Sequence, residues 1–484
     1  MSVRNVVKSI QDIMRQDVGV DGDAQRISQL CWMFFLKIID DQDQELELMQ
    51  EGYRSPIPAK FRWRAWAADP EGITGDPLLA FVNDELFPAL KELSNTARDG
   101  RRRVVRDVFE DAYNYMKSGQ LMRQVVNKIN AIDFNNLSER QHFGDLYEQI
   151  LNDLQSAGNA GEYYTPRAVT AFMAERIDPK PGEILLDPAC GTGGFLTCAL
   201  RHMRSRYVKT PEDERRMQQA LRAVEKKQLP HMLCVTNMLL HGIDDPSFVR
   251  HDNTLARPYI SYGQSDRVDI VLTNPPFGGR EEDGIESNFP KHFQTRETAD
   301  LFLALIIRLL KPGGRAAVVL PDGSLFGEGV KTRLKEHLME ECNLHTIVRL
   351  PNSVFKPYAS IGTNLLFFEK GEPTKEIWFY EHRVPEGQKA YSMTRPIKVE
   401  HLKPCVDWWG GAGREEREET EVAWKVTLEE VKARNYNLDI KNPHTVADDH
   451  GDPEELLAKL DQAEKQTAVL RDQLKAILEE ALLR

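Results

Sequence analysis

The chain has 484 residues, 41% of them hydrophobic and 29% charged, with a formal net charge of −12. That balance belongs to a folded globular protein and excludes a disordered or collagen-like chain, and at roughly 150 residues per domain the length predicts two to four units. No run of about 18 apolar residues occurs and Met1 to Ile10 lacks a signal-peptide core, so no membrane span or secretion is expected and the cytoplasm is the expected compartment. The six cysteines, Cys31, Cys190, Cys198, Cys234, Cys342 and Cys405, contain no C-x-x-C pair, which points to reduced, buried thiols and no metal site.

From Arg4 to about Ile132 apolar residues recur at helix spacing, as in Ile27, Leu30, Cys31, Phe34, Phe35 and Ile38, and this predicts an all-α domain over residues 1–140. Within it, Arg101-Arg102-Arg103 with Arg106 is a local basic run that reads as a solvated helix start, against contact with phosphate. The segment Gly161-Glu162-Tyr163-Tyr164-Thr165-Pro166 ends with Thr as an N-cap and Pro at the first helical position, so a helix is predicted to begin at Pro166. Short apolar runs then alternate with helical stretches: Ile184 to Leu186, Val268 to Leu272, Ala316 to Leu320, Ile347 to Leu350 and Leu365 to Phe368. Such alternation predicts a largely parallel sheet in an α/β domain over residues 141–445. From Gly371 to about Asn442 the pattern weakens, around Trp408-Trp409-Gly410-Gly411 and the charged run Arg414 to Glu421, and reads as loop. Asp452-Pro453-Glu454-Glu455 then makes a helix start. Leu456, Leu460, Ala463, Thr467, Leu470, Leu474, Ile477 and Ala481 follow at alternating spacings of four and three, so residues 446–484 are predicted to form a helix with a partner helix along that seam, against packing on this chain's own body.

Two segments carry chemistry. In Ile184-Leu185-Leu186-Asp187-Pro188-Ala189-Cys190-Gly191-Thr192-Gly193-Gly194-Phe195 a buried strand runs into a glycine turn that opens a helix, where a ligand can approach the backbone. A dinucleotide site would use G-x-G-x-x-G for a pyrophosphate. Here Gly191-Thr192-Gly193-Gly194 after Asp187-Pro188 suits a ligand with a charged amino-acid end. In Asp269-Ile270-Val271-Leu272-Thr273-Asn274-Pro275-Pro276-Phe277-Gly278, two prolines directly after a strand cannot continue its ladder and set a rigid turn at its C-terminal edge. That turn can aim the Asn274 amide oxygen and the Pro275 carbonyl at one amino group. Two acceptors on an exocyclic NH₂ draw it away from planarity and return its lone pair to nitrogen, and Phe277 offers a face for a base.

These segments resemble motifs I and IV of the amino-methyltransferases, and Gly161 to Pro166 resembles their N-terminal motif, written G-x-F-Y-T-P. Their order is similar to that of the adenine-N6 class. With the helical N-terminal domain, the Asn237 to Gly242 stretch (N-M-L-L-H-G), the length and the tail helix, nearly the whole chain resembles the modification subunit of type I restriction-modification systems. The resemblance implies a Rossmann-like methyltransferase sheet and S-adenosylmethionine as cofactor. It implies that Glu162, Tyr163, Tyr164, Thr165, Pro166 and Arg167, with Asp187, Gly191, Thr192, Gly193 and Gly194, line the methionine end of that cofactor. Glu225 stands where the family binds the ribose hydroxyls, although Ala223-Val224 precedes it in place of the usual glycine pattern; an exposed helix Glu is the alternative. Asp252 matches the acidic position near the cofactor adenine. Asn274, Pro275, Pro276 and Phe277 are the implied catalytic residues. Asp300-Leu301-Phe302 matches the motif opening the next helix, against ordinary helix packing, and Ile361-Gly362-Thr363-Asn364 resembles the hairpin near the flipped base, against a simple turn.

Cytosine-C5 methylation needs a thiolate in a Pro-Cys pair close behind the catalytic strand, and Pro404-Cys405 lies far downstream. Methylation of RNA or of protein glutamine, or an inactive cofactor-binding scaffold, are the alternatives. No G-x-x-x-x-G-K-[ST] loop is present, so any ATP-driven cleavage belongs to another subunit. Duplex binding needs clustered Lys and Arg, which the acidic balance does not promise. The acidic balance and the tail helix fit a separate specificity subunit docked partly through that helix, and the resemblance implies double-stranded DNA, a second copy of this chain and a restriction subunit as the other partners.

Overall fold

The structure, a computed structural model, describes residues 3–94, 100–136, 143, 144, 147, 165–356, 360–411 and 413–444, and in the tail 464–468, 470, 471, 473 and 474. Residues 1–441 gather into one compact unit and residues 442–484 into a second. Among the described residues no helix is long and apolar enough to cross a membrane.

Nine strands form one sheet: β1 (Leu185–Asp187), β2 (Leu221–Glu225), β3 (Val249–His251), β4 (Val268–Thr273), β5 (Leu310–Pro321), β6 (Cys342–Leu350), β7 (Thr363–Lys370), β8 (Glu376–Glu381) and β9 (Ala423–Thr427), in the order β3-β2-β1-β4-β5-β7-β6-β8-β9. The first five strands of that order run parallel, β7 lies antiparallel to both β5 and β6, β8 is parallel to β6 and β9 antiparallel to β8. The fold is thus α/β with a helical N-terminal region, as expected from the alternation of apolar runs. Successive side chains of a strand point to opposite faces. Leu185, Ile270, Leu272, Ala317 and Val319 accordingly pack in one layer with the helices Arg167–Ile177, Gly194–Arg206 and Gln228–Leu240. Leu186, Val271, Ala316, Val318 and Leu320 pack in the other with Thr298–Leu309 and Val330–Glu341. Because both faces are covered, the central strands read as near-continuous apolar runs.

The N-terminal helices are continuous with the first layer. Cys31, in the helix Asp23–Met49, sets its Sγ 3.3 Å from Thr236 Oγ1 and 3.3 Å from Tyr147 Oη, so the helix Gln228–Leu240 is gripped from its outer side. Edge-to-face ring pairs, Trp32 with Phe87 at 5.1 Å and Phe87 with Phe109 at 5.1 Å, fill the helical core. The arginine run is not a solvated helix start. In the helix Gly100–Phe109, Arg103 donates to the Ser247 carbonyl at 2.6 Å and Arg101 to the Asp244 carbonyl at 3.3 Å and the Asp43 carboxylate at 3.3 Å. Their guanidinium forks tie the helical region to the turn before β3, because carbonyls with no ladder partner are available there.

Three further expectations change. The helix after Tyr164 spans Arg167–Ile177 with Pro166 as its cap, one residue later than predicted, because the Thr165 hydroxyl is engaged elsewhere (below). The span 371–442 is not all loop: it holds β8, β9 and the short helices Lys403–Trp408 and Leu428–Ala433. These edge strands are held by long-range contacts such as the Phe379–Trp424 stack, 5.3 Å between centroids with planes 8° apart. In the tail, Thr467, Leu470 and Leu474 are helical, and Leu470 and Leu474 are 65% and 62% exposed. Asp452–Glu455 and Leu456, Leu460, Ala463, Ile477 and Ala481 lie outside the described residues.

Ile270 is fully buried in β4, so Ile270→Ala should lower unfolding free energy by about 2–5 kcal/mol in urea denaturation. A loss below about 0.5 kcal/mol, the scale of surface substitutions, would show that β4 is not central to the core.

Candidate active site

Between β1 and β4 the strand order reverses, and such a switch point opens a crevice at the C-terminal ends of the strands. There β1 ends on Asp187 and enters the glycine turn. Gly193 sits at φ +84°, and a Cβ on it would come 2.9 Å from Cys234 Sγ; a Cβ on Gly194 would meet the Arg167 guanidinium at 2.0 Å. The left-handed backbone at Gly193 favours glycine, and a side chain at Gly194 would have to displace the Arg167 guanidinium. The turn is held from three sides. Gly191 N–H donates to Glu225 Oε2 at 2.9 Å, Asn237 Nδ2 donates to the Thr192 carbonyl at 3.0 Å, and Thr254 Oγ1 donates to the Pro188 carbonyl at 2.7 Å.

The ends of three neighbouring strands place carboxylates in a row. Asp187 closes β1 and is fully buried; Glu225 closes β2 rather than standing on a helix; Asp252 follows β3, exposed, its N–H on the Glu225 carbonyl at 3.0 Å. Asp187 Oδ1 accepts from Ala189 N–H at 3.2 Å, whereas Oδ2 has no hydrogen-bond partner among the described residues. Burial pushes the Asp187 carboxyl up to about 7; the neighbouring Thr273 hydroxyl and the Ala189 N–H oppose the rise, and the Glu225 charge adds to it. The Thr273 hydroxyl lies beside the carboxyl without good hydrogen-bond geometry, since Thr273 Oγ1 is itself without a partner among the described residues. Glu225 Oε1 accepts from Lys227 N–H at 2.8 Å, so both carboxylate oxygens face backbone N–H groups of the site. An orphaned buried carboxylate oxygen beside a glycine cradle, with acidic groups on the next two strands, fits a ligand with an ammonium at one end and hydroxyls further along. S-adenosylmethionine has that pattern.

Across the switch point β4 ends at Thr273. Asn274 Nδ2 donates to Thr165 Oγ1 at 2.7 Å, and Asn274 Oδ1 is buried with no partner among the described residues. Pro275 is buried and Pro276 exposed. Phe277 is 3% exposed and meets Phe355 edge-on at 5.9 Å, so its ring belongs to the packed core and its faces are not open. Thr165, Pro166 and Arg167 are brought to this site, whereas Glu162, Tyr163 and Tyr164 lie outside the described residues.

Other positions sort differently. Asp300 is buried and accepts from Lys331 Nζ at 2.6 Å, an ion pair between helices, as ordinary packing would have it. Thr363 and Asn364 open β7 instead of forming a turn; both are fully buried, with Thr363 Oγ1 and Asn364 Oδ1 lacking partners among the described residues, while Asn364 Nδ2 donates to Asp322 at 2.7 Å. Sequence reasoning named Asn237 only as part of a motif and missed its grip on Thr192. The signal was a fully buried Asn among the apolar residues of the last two turns of the helix Gln228–Leu240. A cavity of about 1010 Å³, lined in part by Leu186, Arg222, Arg250 and Arg267, contains none of Asp187, Gly191 to Gly194, Glu225, Asp252 and Asn274.

The N-6 DNA methylase family model matches residues 138–452, and a model of the HsdM N-terminal domain matches residues 3–129. The chain is 61% identical to the methylase subunit of the type I restriction enzyme EcoEI of Escherichia coli, over 100% of this chain and 99% of the relative. It is 30% identical to the EcoKI methylase subunit of Escherichia coli K12, over 84% of this chain and 76% of the relative. Among solved structures, a chain of a type I R-M system studied for complex assembly and conformational transition aligns with a TM-score of 0.83 at 36% identity, covering 99% of each. A modification subunit of a proposed type I restriction enzyme from Vibrio vulnificus YJ016 aligns with a TM-score of 0.79 at 44% identity, covering 91% of this chain and 96% of that one. The chain thus belongs to the N-6 DNA methylase family, as a type I methylase subunit that transfers a methyl group from S-adenosylmethionine to N6 of adenine in DNA.

Proposed function

We propose that Asn274 and Pro275 are the residues that activate the adenine amino group, that Pro166, Arg167, Asp187, Gly191 to Gly194, Glu225 and Asp252 hold the cofactor, with Glu162, Tyr163 and Tyr164 completing its methionine end, and that Thr165, on that same segment, bears on Asn274 through its hydroxyl. The observation that carries this reading is the orphaned Asn274 Oδ1, buried at the end of β4 across the switch point from the glycine cradle. A base stacked in a duplex cannot reach such an oxygen, so the adenine is extruded at a cost of a few kcal/mol. Asn274 Oδ1 and the Pro275 carbonyl accept from the two N6 hydrogens and localise the lone pair on nitrogen. Pro276 keeps the turn rigid. S-adenosylmethionine supplies an electrophilic methyl group. No residue of this chain has to form a covalent bond, and catalysis rests on positioning and electrostatics. Phe277 serves as the stacking face only after the Phe355 side gives way.

The wider assembly follows from charge and from the tail. A chain of net charge −12 has little grip on phosphate. We assign base reading and most of the positive charge to a separate specificity subunit, docked partly through the helix whose Leu470 and Leu474 are exposed. A second copy of this chain and a restriction subunit complete the complex on double-stranded DNA in the cytoplasm.

Asn274→Ala should lower methyl transfer at least about 100-fold while cofactor binding, measured by calorimetry, stays nearly unchanged; a fully active variant removes Asn274 from the chemistry. Pairing with a cofactor ammonium favours ionised Asp187. Its carboxyl, raised to about 7, must give up its proton on binding, so affinity is full above that pH and lost as pH falls through it. The loss should approach tenfold per pH unit, and Asp187→Asn should bind weakly without that dependence. An unaltered pH profile in the variant counts against the pairing. Deleting residues 452–484 should abolish co-purification with the specificity subunit and spare cofactor binding; a truncated chain that still assembles excludes the tail from the interface.

A further inference from the structure

Thr165, Pro166 and Arg167 reach both halves of the site at once. Thr165 is 8% exposed and its hydroxyl takes the hydrogen bond from Asn274 Nδ2 at 2.7 Å. Two residues on, the Arg167 guanidinium lies so close to the glycine turn that a Cβ at Gly194 would collide with it at 2.0 Å. Pro166 between them, at φ −52° and ψ 136°, caps the helix Arg167–Ile177, whose residues Val169, Phe172 and Met173 are buried in the layer beneath the sheet. Proline has φ restricted by its ring, which removes one backbone torsion between the two contacts. A three-residue clasp joins the turn that ends β4 to the turn that follows β1.

We propose that Thr165 is a positioning residue for methyl transfer: its hydroxyl accepts from Asn274 Nδ2 and so turns Asn274 Oδ1 toward the adenine amino group. This rests on the reading of Asn274 as the acceptor for that group. A hydroxyl can donate or accept, so it alone does not choose the amide's orientation. The adenine amino group can only donate, so Oδ1 must face it and Nδ2 must face away. A partner able to accept is then required on the far side, and Thr165 supplies it where a hydrocarbon of the same shape could not. The same contact explains why Thr165 does not cap the following helix. Arg167, by contrast, acts on the cofactor turn, so the two ends of the clasp separate in their kinetics.

The test uses the full-length chain co-purified with its partner subunits. Thr165→Val keeps the shape and removes the acceptor, and Thr165→Ser restores it. The expected result for Thr165→Val is a fall in kcat of about 10- to 100-fold, the scale of a small misplacement of a reacting group. The Kd for S-adenosylmethionine, the KM for DNA and the melting temperature should match the parent, and Thr165→Ser should recover most of kcat. A Thr165→Val enzyme with parental kcat, alongside an inactive Asn274→Ala, overturns the clasp and leaves the reading of Asn274 standing. Loss of S-adenosylmethionine affinity in proportion to the loss of kcat overturns it too, since Thr165 would then act as a cofactor ligand. An active Asn274→Ala overturns the reading of Asn274 and the clasp together.

Discussion

Asn274 Oδ1 is an amide oxygen buried without a partner among the described residues, a state that costs about 1–3 kcal/mol. The surrounding structure holds it there. β4 is hydrogen-bonded on both sides, to β1 and to β5, and its apolar residues enter both layers of the core. Pro275 and Pro276 then end the ladder abruptly. The amide nitrogen is taken by Thr165, whose place is set by a helix packed beneath the sheet. What remains is one acceptor at a defined position, ready for a donor that arrives from outside.

The electrostatics of the cofactor side have the same character. Asp187, Glu225 and Asp252 stand on adjacent strand ends, and burial, with repulsion from the Glu225 charge added, keeps the Asp187 carboxyl raised. A cation relieves that repulsion and a polyanion worsens it. The crevice is therefore suited to a sulfonium compound with an ammonium and unsuited to a phosphate backbone. The overall acidity, which is awkward for a protein acting on DNA, is consistent with a chain that handles the cofactor and one extruded base and leaves the duplex to its partners.

The helix Gln228–Leu240 connects the N-terminal region to this chemistry. Thr236 faces Cys31 on the helix Asp23–Met49, and the next residue, Asn237, holds the Thr192 carbonyl of the glycine turn. Cys234 and Met238 on the same helix crowd Gly193. With Arg101 and Arg103 bonded to the turn before β3, the helical region and the sheet share one continuous core.

Local patterns were enough for the parts that depend on neighbours in sequence. The apolar runs of β1, β4, β5, β6 and β7, the glycine turn at Gly191 to Gly194 and the double proline after Asn274 are all short-range signals, because backbone geometry and burial on both faces dictate residue type directly. β2, β3, β8 and β9 escaped notice since each is short or carries charge, and their pairing energy comes from strands distant in the chain. The partner of the Thr165 hydroxyl, the register that sets Asp187, Glu225 and Asp252 side by side, and the buried state of Phe277 were likewise decided only by the tertiary structure. Each is a contact between segments far apart in sequence, such as Thr165 with Asn274. A hydroxyl beside a proline looks like a helix cap until the folded chain brings an amide to it. By itself the sequence determined that this chain carries a glycine turn after one strand and an Asn-Pro-Pro turn after another on an α/β sheet; only folding decided which side chains hold them in place, because hydrogen-bond partners are chosen by proximity in space.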